Sequence, residues 1–262
     1  MDANGLVDTG LTPEQLAALD PALRKTLLTA WELVRTQRST FPIAMEFLHA
    51  YLTKTTPNPI PPWQMRRSMD FVDAVDRMRR RITAVLERCA EAAERVGTRT
   101  AYLDSVESIM GGDQTSQGRP VEYVANYDDW DLFGALGTFN IQVVRLSLSL
   151  FKTQDKWTAS GQADFEYHDR FDFDQHDNMF NQVIRDGETM AAGFSSAFSS
   201  RDVSWITFFD LVSNAIDGIG AGRGFTIGAL DALEKAGLAK SFDVRGSWTE
   251  MDFPVGPVMG VR

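Results

Sequence analysis

Apolar residues recur three and four apart over roughly the first hundred positions and two apart over a later stretch, so the chain predicts helices first and strands afterwards. Thr12, Pro13 and Gln15 supply a cap, a first-turn proline and a capping-box partner, and Asp20-Pro21 repeats the start signal. Leu23, Leu27, Trp31 and Val34 then mark the buried face of a helix over 21–36. A second helix is expected behind a Ser39/Thr40 cap, with Phe47, Leu48, Tyr51 and Leu52 inward. TTPNPIPPW at 55–63 stops helix formation, because its prolines remove donors and push their predecessors to extended conformations. The longest helix is predicted from about Met65 to Val96, with Phe71, Val75, Met78, Ile82, Leu86 and Cys89 on one side and Gly97 as its stop. A short helix is expected around 100–110, and MGGDQTSQGRP at 110–120 reads as a linker.

Beyond the linker the period becomes two. Phe139, Ile141 and Val143 alternate with polar residues, and Val144, Leu146, Leu148 and Leu150 continue out of phase, which predicts a β-bulge near Val143-Val144. KTQDK at 152–156 is the expected hairpin loop. On the returning strand Trp157, Ala159, Gly161, Ala163, Phe165, Tyr167, Phe171 and Phe173 share one face, and His168, Arg170, Asp172 and Asp174 fall on the other. Asp169 breaks this order by lying in phase with the apolar side, where an ionised carboxylate is costly unless paired. Further along, the pattern predicts a short helix near 178–186, a hydrophobic helix over 201–217, a glycine loop at 216–226, a helix over 227–236 ending at Gly237, and closing strands. The expected fold class is α+β: a helical region over 1–112, then a strand-rich region over 113–262 with an antiparallel hairpin or small barrel and two further helices.

Composition narrows the function classes. A formal charge of −10 argues against nucleic acid as a partner, since phosphate binding needs a basic footprint. The lone Cys89 rules out an internal disulfide and a cysteine-based zinc site. MDANGLVDTG is acidic and polar where a secretory signal would be basic and then apolar, so the expectation is a protein made in the cytoplasm and exported, if at all, without a signal peptide. The glycine loop lacks a Gly-Lys-Ser/Thr and follows a helix, unlike a nucleotide fingerprint. Residues 203–221 carry Asp210 and Asp217 as their charges, and protonating them would leave a segment able to enter a membrane.

The candidate chemistry gathers in EYHDRFDFDQHD at 166–177. Asp172 and Asp174, two apart on a strand, lie about 7 Å from each other at a rise of ~3.3 Å per residue. Carboxylates so spaced can share Mg²⁺ or divide acid and base roles, and His168 or His176 can carry a proton at neutral pH. Arg170 lies on that same face, and Asp169, out of phase, either caps a bulge or serves chemistry, as a carboxylate whose pKa is expected to be perturbed.

The strand, turn, strand order over 133–175 followed by Asp-Arg-Phe-Asp-Phe-Asp resembles the catalytic region of the colicin M-type bacteriocins, whose signature is Asp-x-Tyr-Asp followed by His-Arg. In that alignment Asp169 and Asp172 match the two aspartates and Phe171 the tyrosine, while Asn178 and Met179 stand where His-Arg belongs. The resemblance implies a toxin or effector with a helical region and a mainly β catalytic domain that hydrolyses a pyrophosphate-linked envelope lipid with Mg²⁺. Its implied partners are an immunity protein or a secretion apparatus. The residues by themselves leave two alternatives open: a non-enzymatic structural or cargo protein of a bacterial or phage assembly, and a membrane-permeabilising protein.

Overall fold

The computed structural model describes residues 9–109, 113–114, 118–126, 128–154, 156–172, 227–251 and 253–255. The fold is α+β. Two compact units emerge, each assembled from three stretches of chain: Met1–Asn58, Asp129–Gly137 and Arg170–Asp243 in the first, Pro59–Asp128, Thr138–Asp169 and Val244–Arg262 in the second.

The first unit is built on helices α1 (Pro13–Ala18), α2 (Pro21–Gln37) and α3 (Pro42–Thr53). Thr12 and Gln15 form the expected capping box, and Asp20 caps α2 by accepting from the amides of Ala22 and Leu23. Leu27, Trp31 and Val34 are buried as the spacing predicts, and so are Phe47, Leu48, Tyr51 and Leu52 of α3. The cap of α3 is a correction: Phe41 occupies the cap position without a side-chain bond, and Ser39/Thr40 do not serve. The amides of Ile43 and Ala44 donate instead to Asp131 Oδ1, each at 2.9 Å, from an element nearly ninety residues away. α2 packs against α3, and α3 against the short helix that carries Asp131.

In the second unit the predicted long helix is present and begins at Met69, a few residues later than expected. A short α4 (Pro62–Met65) is followed by α5 (Met69–Arg95), which Ser68 starts by accepting from the Phe71 amide at 3.2 Å. Ser68 has no exposure, and its hydroxyl accepts from Phe71 while donating to Asp128 Oδ1, so it is a genuine cap. The helix expected around 100–110 is a strand, β1 (Thr100–Leu103), followed by a 3₁₀ turn over Val106–Ser108. Pairing with a distant strand supplies ladder bonds that the ten-residue local pattern does not reveal.

Strands β2 (Asp113–Gln114) and β3 (Pro120–Ala125) follow, then helix α6 (Trp130–Leu136) and the long hairpin of β4 (Thr138–Thr153) and β5 (Lys156–Phe171). After the undescribed stretch come α7 (Ile227–Lys235) and β6 (Phe242–Met251). The strands form one six-stranded sheet in the order β2-β3-β4-β5-β6, with β1 also pairing with β4. One edge of β4 is shared end to end, its residues 138–142 by β3 and 148–151 by β1, while β5 runs antiparallel along the other. The register shifts between Val143 and Arg145, which places the bulge where the phase change predicts it. The hairpin turn is tighter than expected, with strand pairing continuing to Thr153 and Lys156. α5 lies against β1, β3 and β4 and buries Phe71, Val75, Met78, Ile82 and Leu86 there.

Among the described residues no helix is long and apolar enough to cross a membrane. The membrane candidate 203–221, the glycine loop 216–226 and the helices expected near 178–186 and over 201–217 lie outside the described residues.

Candidate functional site

β5 delivers the predicted cluster. Alternation holds to its end: Phe165, Tyr167 and Phe171 are buried, and Arg170 and Asp172 are exposed. Asp169 shares the apolar phase as read from the sequence, and its side chain is half-buried. The boundary between the two units falls directly after it, so the cluster is described in two parts.

In the second unit, Tyr167 has no exposure and donates its hydroxyl to the Ile60 carbonyl at 2.9 Å. Burial pushes its phenol up to about 12, because the phenolate would lose hydration without a cationic partner. Gly246 lies close to that ring, where an added Cβ would come within 2.2 Å of Tyr167 Cε1. Next to Tyr167, His168 faces Asn140 across the ladder. Its Nε2 is buried and has no hydrogen-bond partner among the described residues. Such an orphaned imidazole nitrogen is uncommon, because a buried polar atom without a partner costs about 1–3 kcal/mol.

In the first unit, Arg170 Nε pairs with Asp172 Oδ2 at 3.1 Å and its Nη2 donates to Ser241 Oγ at 3.1 Å. Ser241 donates through both its hydroxyl and its amide to Glu234 Oε1, at 2.7 and 3.0 Å. Tyr51 donates its hydroxyl to the Leu230 carbonyl at 3.0 Å and approaches the other Glu234 oxygen at 3.4 Å. Burial and the Glu234 carboxylate drive the Tyr51 phenol well above its usual range, so it stays a donor. Beneath this chain of bonds Phe171 stacks on Phe242 with ring centres 5.2 Å apart, and Phe47 meets both edge-on. The arrangement anchors Arg170 and Asp172 to α7 and α3.

Of the expected Mg²⁺ ligands, Asp174 and the proton carrier His176 lie outside the described residues. Asp172 is held by a guanidinium, whose positive charge competes with a divalent cation for the same oxygens. No three side chains of His, Cys, Asp or Glu come together among the described residues in a way that could hold a metal. The described residues thus hold one of the two expected Mg²⁺ ligands, Asp172, and the other, Asp174, lies outside them.

Sequence reasoning missed a cavity in the first unit. Its volume is about 690 Å³, and its wall is made by Trp31, His49, Leu52 and Leu238 with Arg35, Arg38 and Lys54 around them. His49 meets Trp31 edge-on at 5.3 Å. Burial, aided by the charge of Arg38, lowers its pKa and favours the neutral imidazole. The sequence signal available was the pairing of Trp31 and His49 on two adjacent helices, which cannot be recognised before the helices are docked.

No protein-family model, curated protein or solved structure shows significant similarity to this chain.

Proposed function

We propose that the protein is a bacterial toxin or effector of the bacteriocin kind, acting on a pyrophosphate-linked envelope lipid with His168 as its proton carrier. The observation that carries this reading is the buried Nε2 of His168, without a hydrogen-bond partner among the described residues, beside Asp169 near the end of β5. An imidazole can take a proton from water or return one to a leaving phosphate oxygen. Arg170 uses two of its five N–H donors on Asp172 and Ser241, and its side chain is 62% exposed, so further donors can meet phosphate oxygens. The Asp-Arg-Phe-Asp-Phe-Asp order that resembles the colicin M-type bacteriocins supports the substrate class.

The test is cleavage of an undecaprenyl-pyrophosphate-linked sugar by the full chain, with and without Mg²⁺, followed by separation of the lipid and phosphate products. His168→Gln keeps roughly the size of the side chain and removes the proton-carrying imidazole; the expected loss is about 10²-fold or more in kcat with an unchanged melting temperature. Equal turnover by the variant, or no cleavage under either condition, overturns the proposal.

The second reading is a non-enzymatic structural or cargo protein of a bacterial or phage assembly. The bonds from Asp172 through Arg170, Ser241 and Glu234 to Tyr51 favour it, because they give two of the predicted catalytic residues a structural occupation.

A further inference from the structure

We propose that the cavity of the first unit is a binding site for an amphipathic anion, an aliphatic chain ending in a carboxylate or phosphate head. None of the described residues lining the cavity belongs to the end of β5. The chain as a whole carries a charge of −10, yet the cavity wall holds Arg35, Arg38 and Lys54 and, among the described residues, no carboxylate. Arg35 is already matched by Glu32, one turn away on α2, which leaves Arg38 and Lys54 as the cations for a ligand. Lys54 is set at the end of α3 by a left-handed backbone, φ 58°, whose amide closes onto Ala50 and Tyr51. Both cations are exposed, so their charges sit where a hydrated head group would stop.

The deeper wall is apolar. Leu27, Trp31, Val34 and Leu52 are each at most 9% exposed and offer a surface for methylene groups. A volume of about 690 Å³ falls within the roughly 300–1,000 Å³ of small-molecule sites. The lowered pKa of His49 is consistent with this: burial first and the charge of Arg38 second, against an opposing contribution from Glu46, favour the neutral imidazole in the wall. An apolar floor under two cations suits a tail and a single anionic head together.

The experiment is calorimetric titration of the full chain with decanoate, decyl phosphate and decanol, each below its micellar concentration. Decanoate is expected to bind with decanol about tenfold weaker or more, and an advantage of decyl phosphate over decanoate would assign the head group as phosphate. The double variant Arg38→Gln/Lys54→Gln should raise the decanoate Kd about fivefold and leave decanol unchanged. Leu238→Trp, which fills the space from the half-buried rim, should weaken all three ligands. Absence of binding by both anions, equal binding by wild type and the double variant, or undiminished binding by a folded Leu238→Trp protein each overturns the proposal.

Discussion

Asp128, Asp129 and Asp131 stand within four positions of one another, yet each serves a different helix. Asp128 accepts from the Ser68 hydroxyl and the Met69 amide at the start of α5, Asp129 from the amides of Asp131 and Leu132 in its own helix, and Asp131 from Ile43 and Ala44. Asp131 is 3% exposed, so removing its carboxylate strands two buried amides. Asp131→Ala is expected to cost about 2–3 kcal/mol in urea denaturation, and Asp131→Asn, which keeps an acceptor oxygen, distinctly less. Tyr167 gives a pH prediction. Its folded pKa is raised to about 12 from the ordinary 10, so the neutral phenol's contribution is complete below pH 10 and declines as pH rises toward 12. Stability measured by denaturation over that window should fall less steeply for Tyr167→Phe than for wild type. Gly161 is a third such position: it has φ +135°, and an added Cβ would meet the Ser147 carbonyl oxygen at 2.1 Å. Gly161→Ala should therefore cost about 2–4 kcal/mol. The strand pattern places Gly161 in the apolar phase, but the conformation that demands glycine there is set by the paired strand.

At the scale of elements, the β4 bulge is the clearest case of pattern dictating geometry. Phe139, Ile141 and Val143 before it and Leu146, Leu148 and Leu150 after it are all buried, which a regular strand cannot achieve across an odd step. Deleting Val144 should force either the second half of β4 to present its leucines to solvent or the pairing with β5 to slip. The expected outcome is loss of a cooperative thermal transition, while Val144→Thr, at a half-buried site, should melt within a few degrees of wild type. β1 illustrates the opposite situation. Thr100–Leu103 is a strand because Leu148–Phe151 of β4 lies alongside it, and four residues with one buried side chain hold too little period to announce that. The candidate site divides the same way: the alternation of β5 places His168, Asp169, Arg170 and Asp172, whereas the partners Ser241 and Glu234 come from about seventy residues further on.

For the whole molecule, the decisive fact is connectivity. Each compact unit is made of three separate stretches, so no single cut in the chain separates one from the other. A fragment ending at residue 112 would contain α3 without the Asp131 that caps it and α5 without most of the sheet it covers. Such a fragment should show no cooperative melt by circular dichroism, and limited proteolysis of the full chain should not release one unit intact. The acidic balance, −10 over 262 residues, adds an expectation at this scale: no measurable affinity for duplex DNA at physiological salt in a filter-binding assay.

The sequence by itself determined the helices α2, α5 and α7, the β4–β5 hairpin with its bulge, the inward faces of each, and the outlying phase of Asp169. These follow from periodicity and local caps, which act over a few residues and so are written in consecutive positions. Tertiary structure alone decided which carboxylate caps α3, that Arg170 is bound to both Asp172 and Ser241, that His168 Nε2 is buried without a partner among the described residues, and that Trp31, Arg38, His49 and Lys54 surround a cavity. Those outcomes depend on side chains from distant segments competing for the same buried hydrogen bonds and the same volume, and that competition is settled only when the segments are packed together.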